Sequence, residues 1–463
     1  MAANGKRSEL LSPMDQAWLR MEDPTNLMMV TGVLTFDRPL SFERLRATLE
    51  HRLIGRFDRF RKRVVVANGM ARWETDPNFT LSAHLHRIAL PAPGDQGALQ
   101  ELISDLMSTP LDFTKPPWQY HLIENYGAGC VVLERLHHCI ADGIALIHVL
   151  LSMTDDSPDA PWPAADDQQR AARSARGPIA AVNATVRSAE KLFSEGVEAL
   201  FQPARLTDTA KLGANGIGSL SRLLLMSADP PTSLRGKLGV AKRAAWSQPI
   251  PLDDVKAIGR AVGATVNDVL LAAVTGALRR YLQGRGEQVD GLEIRAAVPV
   301  NMRSPNDPPT LGNRFSLVFL ALPVGVDDPL DRLFDLKERM EALKQSPEAL
   351  VTFGILNAMG MAPNQLQGFG VSLFGAKATA VMTNVPGPRE TIYLAGAPIT
   401  GIMFWVPQSG RLGLGVSILS YAGQVSLGIA TDAGLAPDPE QIIDGFHAEF
   451  QQLARLVPRT VES

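Results

Sequence analysis

Apolar residues recur along the chain at two spacings, and the switches between them mark out the elements. Residues 28–36 form an unbroken apolar and β-branched run, which predicts a strand. Ser41 stands where an N-cap belongs. Phe42, Leu45, Leu49 and Leu53 follow at helical spacing, so 42–54 is expected to be a helix. Asn68-Gly69 lies between the short runs 64–66 and 71–74, the strongest local hairpin signal. A helix is expected over 99–107, ending before Pro110, then a strand over 130–136 and a helix over 144–153.

Beyond Thr154 the periodicity lapses. Residues 155–176 are rich in Ala, Asp, Gln and Pro and read as a linker. A helical stripe follows: Ile179, Val182, Val186, Ala189, Phe193, Val197 and Leu200. Its polar face sets Arg187 and Lys191 against Glu190, Glu195 and Glu198. That balance favours packing within the protein over a lipid surface, where Lys and Arg usually dominate. Regular elements return near Pro230. Thr265 and Asp268 make a capping-box pair at the start of a helix over 265–282. Strands are expected over 294–300 and 315–322, a helix over 329–344, strands over 378–383, 401–406, 413–419 and 424–429, and a closing helix over 439–456. Both halves thus mix strands with helices. The expected class is α/β with two lobes: a first lobe at 1–154, a linker with an amphipathic helix at 155–229, and a second lobe at 230–463. The site is expected between them.

Composition narrows the field. The chain has 463 residues, 45% hydrophobic and 20% charged, enough to fill more than one core. A net charge of −3 and a pI near 6.3 give no electrostatic reason to expect nucleic acid or steering to an anionic membrane. Two cysteines, Cys130 and Cys139, build no disulfide framework or zinc finger, which fits a reducing, cytoplasmic compartment. Residues 1–11 carry Lys6, Arg7 and Glu9 without an apolar stretch, so no signal peptide is expected. The most apolar run, 315–326, is 12 residues long and contains Pro323. A spanning helix needs roughly 18 or more, so any lipid contact is expected to be peripheral.

The segment His137-His138-Cys139-Ile140-Ala141-Asp142-Gly143 carries the candidate chemistry. An apolar strand delivers two histidines to its C-terminal end, and a helix starts just after Asp142-Gly143. Neighbours in an extended strand point to opposite faces, so one histidine can serve a cavity while the other packs. An imidazole with an ordinary pKa of about 6.5 is largely a free base near neutral pH, which suits removing a proton from an alcohol as it attacks. Other readings stay open on these residues alone. The pair can be structural with Asp142 as a helix cap; His137, His138, Asp142 and His148 can be metal ligands; and Cys139 can be a nucleophile, although nothing positive lies nearby in sequence to activate it.

His137-His138-x-x-x-Asp142-Gly143 resembles the HHxxxDG signature of the CoA-dependent acyltransferase superfamily. Further segments resemble the bacterial wax ester synthase/diacylglycerol acyltransferase family: Leu11-Ser12-Pro13-Met14-Asp15, Pro116-Pro117-Trp118, Asn267-Asp268, Val298-Pro299-Val300-Asn301-Met302-Arg303, Leu311-Gly312-Asn313 and Asn384-Val385-Pro386-Gly387-Pro388. They run in family order from end to end; Pro117 departs from the family's usual Leu. The resemblance implies a chloramphenicol acetyltransferase-like fold with the site in a channel between two lobes. It implies fatty acyl-CoA as donor, a long-chain alcohol or diacylglycerol as acceptor, and no metal or redox cofactor. Within it His138 would be the base and His137 its support. Asp142 would be structural, paired with Arg303, with Arg61 the second candidate, and Gly143 would leave room for substrate. Asn267 and Asp268 would form a motif near the site, or simply cap their helix. Two other functions remain to be separated from this one: transfer from a carrier-protein thioester, and lipid-droplet binding without catalysis.

Overall fold

Gly129–His137 is the strand around which the first lobe is built. Its apolar residues alternate between two cores: Cys130, Val132 and Leu136 face one, Val131 and Leu133 the other. Burial on both faces explains why the segment reads as a continuous apolar run. In this computed structural model, residues 8–67, 69–163, 223, 225–303, 310–361, 375–408 and 412–456 are described. The expected helical stripe from Ile179 to Leu200, and Asn68 of the expected hairpin, lie outside them.

The first lobe holds a five-stranded sheet in the order Gly401–Trp405, Met29–Phe36, Gly129–His137, Trp118–Tyr126, Leu85–Ala89. Only the last pair is parallel. One face is covered by Phe42–Thr48, its π-helical continuation Leu49–Ile54, and Gly143–Met153, through Leu45, Leu49, Leu53, Val149 and Leu150. The other, which includes the sheet's own Met403 and Trp405, carries Gln96–Met107 through Leu99 and Ile103 and meets Ala244 and Ala430. A small sheet of Ser8–Leu10, Met70–Thr75 and Lys62–Ala67 includes the hairpin. Its register pairs Ala67 with Met70, and Gly69 takes a φ of +74° at the turn.

The second lobe orders its strands Phe315–Leu322, Ile294–Asn301, Ala380–Pro386, Leu414–Tyr421, Gln424–Asp432 and Lys242–Trp246, with Ile250–Pro251 also on Gln424–Asp432. Val266–Gly284 is its buried central helix, flanked by Glu440–Leu456, Pro329–Lys344 and Leu252–Val262.

Two features tie the lobes together. Gly401–Trp405, read from sequence as a strand of the second half, pairs antiparallel with Met29–Phe36 in the first lobe's sheet. Helix Pro13–Met21 packs against Glu348–Met361 around Met14, Trp18, Phe315 and Leu356. Among the described residues no single helix is long and apolar enough to cross a bilayer.

Candidate active site

The strand ends between the two histidines, and their rings still point apart. His137 is the last strand residue and is 1% exposed. Its Nδ1 accepts the Cys139 N–H at 3.1 Å, its Nε2 lies 3.4 Å from the Glu22 carboxylate, and Phe113 meets it edge-on at 5.0 Å. It braces the turn. The His138 N–H still donates to the Met28 carbonyl at 2.7 Å, but its ring goes the other way. There it stacks on Trp18, with centroids 4.3 Å apart and planes 15° apart, and Phe315 lies 5.7 Å off.

Nδ1 of His138 is 2.8 Å from Oδ1 of Asn313. The Asn313 amide nitrogen donates to Asp15 Oδ1 at 2.8 Å and to the His138 carbonyl at 2.7 Å. With its donors so engaged, Asn313 presents its carbonyl to the ring. The proton of a neutral His138 therefore sits on Nδ1 and the lone pair on Nε2. Among the described residues, Nε2 has no hydrogen-bond partner. Burial pushes the His138 pKa down to about 4, against the attraction of the Asp142 charge.

Asp142 faces away from that ring. It caps Gly143–Met153, with Oδ1 accepting the Ala145 N–H at 3.0 Å. Its Oδ2 accepts the Arg314 N–H at 2.8 Å and pairs with the Arg303 guanidinium. Arg303 also donates to the Gly312 carbonyl at 2.8 Å, and the Gly312 N–H to the Ile140 carbonyl at 3.1 Å. Gly312 has a φ of +109°, a conformation open to glycine, and this lets the second lobe's chain turn against the histidine loop. Arg61 is exposed in the turn Asp58–Arg61. A Cβ on Gly143 would meet nothing within 4 Å, so the position borders open space. Cys139 is fully buried, and burial drives its thiol pKa well above the ordinary value, which withholds the thiolate a nucleophile needs. Among the described residues no three His, Cys, Asp or Glu side chains converge as metal ligands.

The sequence profile of the wax ester synthase/diacylglycerol acyltransferase catalytic domain matches residues 11–270, and that of the WS/DGAT C-terminal domain matches 311–454. The chain belongs to this family. A Mycobacterium tuberculosis protein named as a diacylglycerol O-acyltransferase is 30% identical over 396 residues, covering 84% of this chain and 83% of the relative. A Mycobacterium bovis protein of the same designation is 30% identical over 467 residues, covering 96% and 98%. Among solved structures, the wax ester synthase/diacylglycerol acyltransferase from Marinobacter aquaeolei is similar in fold, with a TM-score of 0.69 at 22% identity over 97% of this chain and all of that one. The first condensation domain of the CDA synthetase superposes with a TM-score of 0.62 at 17% identity, covering 100% and 99%. The two-lobed fold is thus shared with acyltransferases and condensation domains.

The family's other motif residues are more scattered. Asp268 closes a reciprocal capping box with Thr265. Asn267 Oδ1 accepts from the Asn384 amide at 3.1 Å, which joins two motif segments. Among the described residues neither Asn267 nor Asp268 hydrogen-bonds to His138. The residues that do surround it were not singled out from sequence: Trp18, Asn313 and, behind Asn313, Asp15. Asp15 and Asn313 lie in motif segments, yet they stand 298 positions apart and no local spacing joins them. A separate 820 Å³ recess lined by Arg279, Arg280, Asp327, Arg332 and Glu449 contains none of these residues. There Arg279 pairs with Asp327, and Arg280 and Arg332 with Glu449.

Proposed function

We propose that the protein transfers a fatty acyl group from acyl-CoA to the hydroxyl of a long-chain alcohol or a diacylglycerol, with His138 as general base. The carrying observation is the Asn313 contact, which leaves Nε2 of a buried, neutral ring as the free basic nitrogen. As the acceptor oxygen attacks the thioester carbonyl, its proton passes to Nε2. The tetrahedral intermediate then expels the CoA sulfur, which recovers that proton, and the ester is complete. No acyl-enzyme is required, in keeping with the buried Cys139 thiol. His137 and Asp142–Arg303 shape the loop, and Gly143 leaves room beside the ring.

The acceptors are water-insoluble, so peripheral contact with a membrane or lipid droplet belongs to the same proposal. Helix Glu348–Met361 is apolar and ends in Met361, which is 70% exposed. The test is CoA release by the purified protein from palmitoyl-CoA, with hexadecanol and dipalmitoylglycerol as parallel acceptors. Turnover with either, lost about 10²–10⁴-fold in His138→Ala, is the expected result. A His138→Ala variant as fast as the parent protein would refute the assignment, and turnover only with a carrier-protein thioester would move the donor to that class.

A further inference from the structure

We propose that Asp15 is a positioning residue for the acyl transfer: it holds the Asn313 amide in the one orientation that keeps the His138 proton on Nδ1 and leaves Nε2 free. This rests on the reading of His138 as base.

An asparagine amide is nearly symmetric in shape, and either end can face a ring nitrogen. Were the NH2 of Asn313 turned to Nδ1, that nitrogen would have to accept. The proton would move to Nε2, and the base would be lost. Two acceptors prevent this, the His138 carbonyl at 2.7 Å and Asp15 Oδ1 at 2.8 Å. Neither can donate when Asp15 is ionised, so both demand the NH2 end. The backbone carbonyl comes with His138 itself and holds only the amide tip. Asp15 holds more, because its Oδ1 also accepts the Asn313 backbone N–H at 2.9 Å, fixing main chain and side chain of the same residue.

Asp15 is itself fixed. It is 1% exposed, and its Oδ2 faces Arg59 Nη1 at 3.4 Å. Arg59 in turn donates to the Ile140 carbonyl, inside the histidine loop, at 3.0 Å. Ser12 caps the helix by accepting the Asp15 N–H at 3.1 Å, which sets the residue at the start of Pro13–Met21. The same helix supplies Trp18, stacked on the His138 ring. One short helix therefore sets both the ring plane, by stacking, and the ring proton, through Asn313. The partner residue comes from the second lobe, so the tautomer is specified only where the lobes meet.

The experiment reads the tautomer directly. Protein with ¹⁵N-labelled histidine rings is examined by NMR at neutral pH, and His138 is assigned by the signal lost in His138→Gln. A protonated Nδ1 and an unprotonated Nε2 are expected; the reverse in the parent protein overturns the proposal. Asp15→Asn keeps the volume but replaces one acceptor oxygen with an NH2 group, which must face either Asn313 or the Arg59 guanidinium, donor against donor in both cases. It is expected to shift His138 toward the Nε2–H form and to lower kcat by about tenfold or more, with KM within about twofold. An Asp15→Asn protein with the parental tautomer and kcat overturns the proposal. If that variant does not fold, a second single substitution decides. Asp15→Ser is then used: its small hydroxyl takes the carboxylate away from the Asn313 amide, and the same shift toward Nε2–H and fall in kcat are expected. A folded Asp15→Ser protein with Nδ1–H and the parental kcat also overturns it. Full activity in His138→Ala, with the tautomer as expected, would instead condemn the base assignment and leave the positioning geometry standing.

Discussion

At the scale of single residues, His138 gives the clearest dependence on pH. Its folded pKa is held near 4 by burial, whereas an unfolded chain titrates near 6.5. The acid limb of kcat/KM is therefore expected between pH 4 and 5, well below an ordinary histidine. Stability follows the same difference. Between about pH 6.5 and 4 the unfolded chain holds a proton that the folded ring does not, so the His138 contribution falls as pH drops through that window. Urea midpoints of the parent protein and His138→Gln across this range measure it, and the variant should lose less on acidification. Asp142 and Arg303 form a pair with side chains 5% and 11% exposed. Removing one member of a buried pair costs about 3–5 kcal/mol. Asp142→Asn and Arg303→Ala should each lower melting temperature and activity together, and the double variant should lose much less than the sum. The histidines, Asp142 and Arg303 were legible because a short signature and a family resemblance name them. Asn313, Asp15 and Trp18 were not, because their roles arise from contacts between distant segments and leave no periodicity behind.

At the scale of elements, legibility followed periodicity and caps. Phe315–Leu322 and Pro329–Lys344 emerge with the expected bounds, the first as a buried run and the second behind a cap at Asp328. Among the described residues, Pro13–Met21, Leu252–Val262 and Glu348–Met361 are helices beyond those expected from the sequence. Pro13–Met21 spans only 9 residues, too few to show a repeat. Glu348–Met361 is apolar nearly all round, since it lies between Pro13–Met21 and the second lobe's sheet, and so it shows no polar face to set a period. The expected helix over 42–54 changes to π-helical geometry at Leu49, where Arg52 reaches Asp155 at 2.8 Å. The capping box of Val266–Gly284 invites a simple test. Thr265→Ala should cost about 1 kcal/mol, within a range of roughly 0.5–2, seen as a lower urea midpoint with kcat unchanged. A loss of kcat without loss of stability would give the Thr265–Asp268 pair a part in the chemistry instead.

At the scale of the whole molecule, the site is an interlobe assembly. Among the connections that cross between the lobes are Asp142 to Arg303, the Asp15–Asn313–His138 chain, the packing of Pro13–Met21 on Glu348–Met361, and the strand Gly401–Trp405. On the proposed mechanism, a base set between two lobes receives donor and acceptor at once, which keeps the advantage of proximity. Initial-rate kinetics should accordingly give converging double-reciprocal lines, as for a ternary complex. Parallel lines, or an acyl adduct on Cys139 by intact-mass spectrometry after incubation with acyl-CoA alone, would establish covalent catalysis.

The borrowed strand also governs the order in which the protein can be made. Residues 29–36 leave the ribosome long before their neighbour in the sheet, Gly401–Trp405. Until most of the polypeptide has been synthesised, Met29–Phe36, nearly all of it buried in the finished fold, is an unpaired hydrophobic edge. A nascent first lobe should therefore depend on chaperones for the length of translation. Expressed alone, residues 1–163 should be insoluble or self-associate through that edge, and a peptide spanning 399–407 added in trans should compete for it.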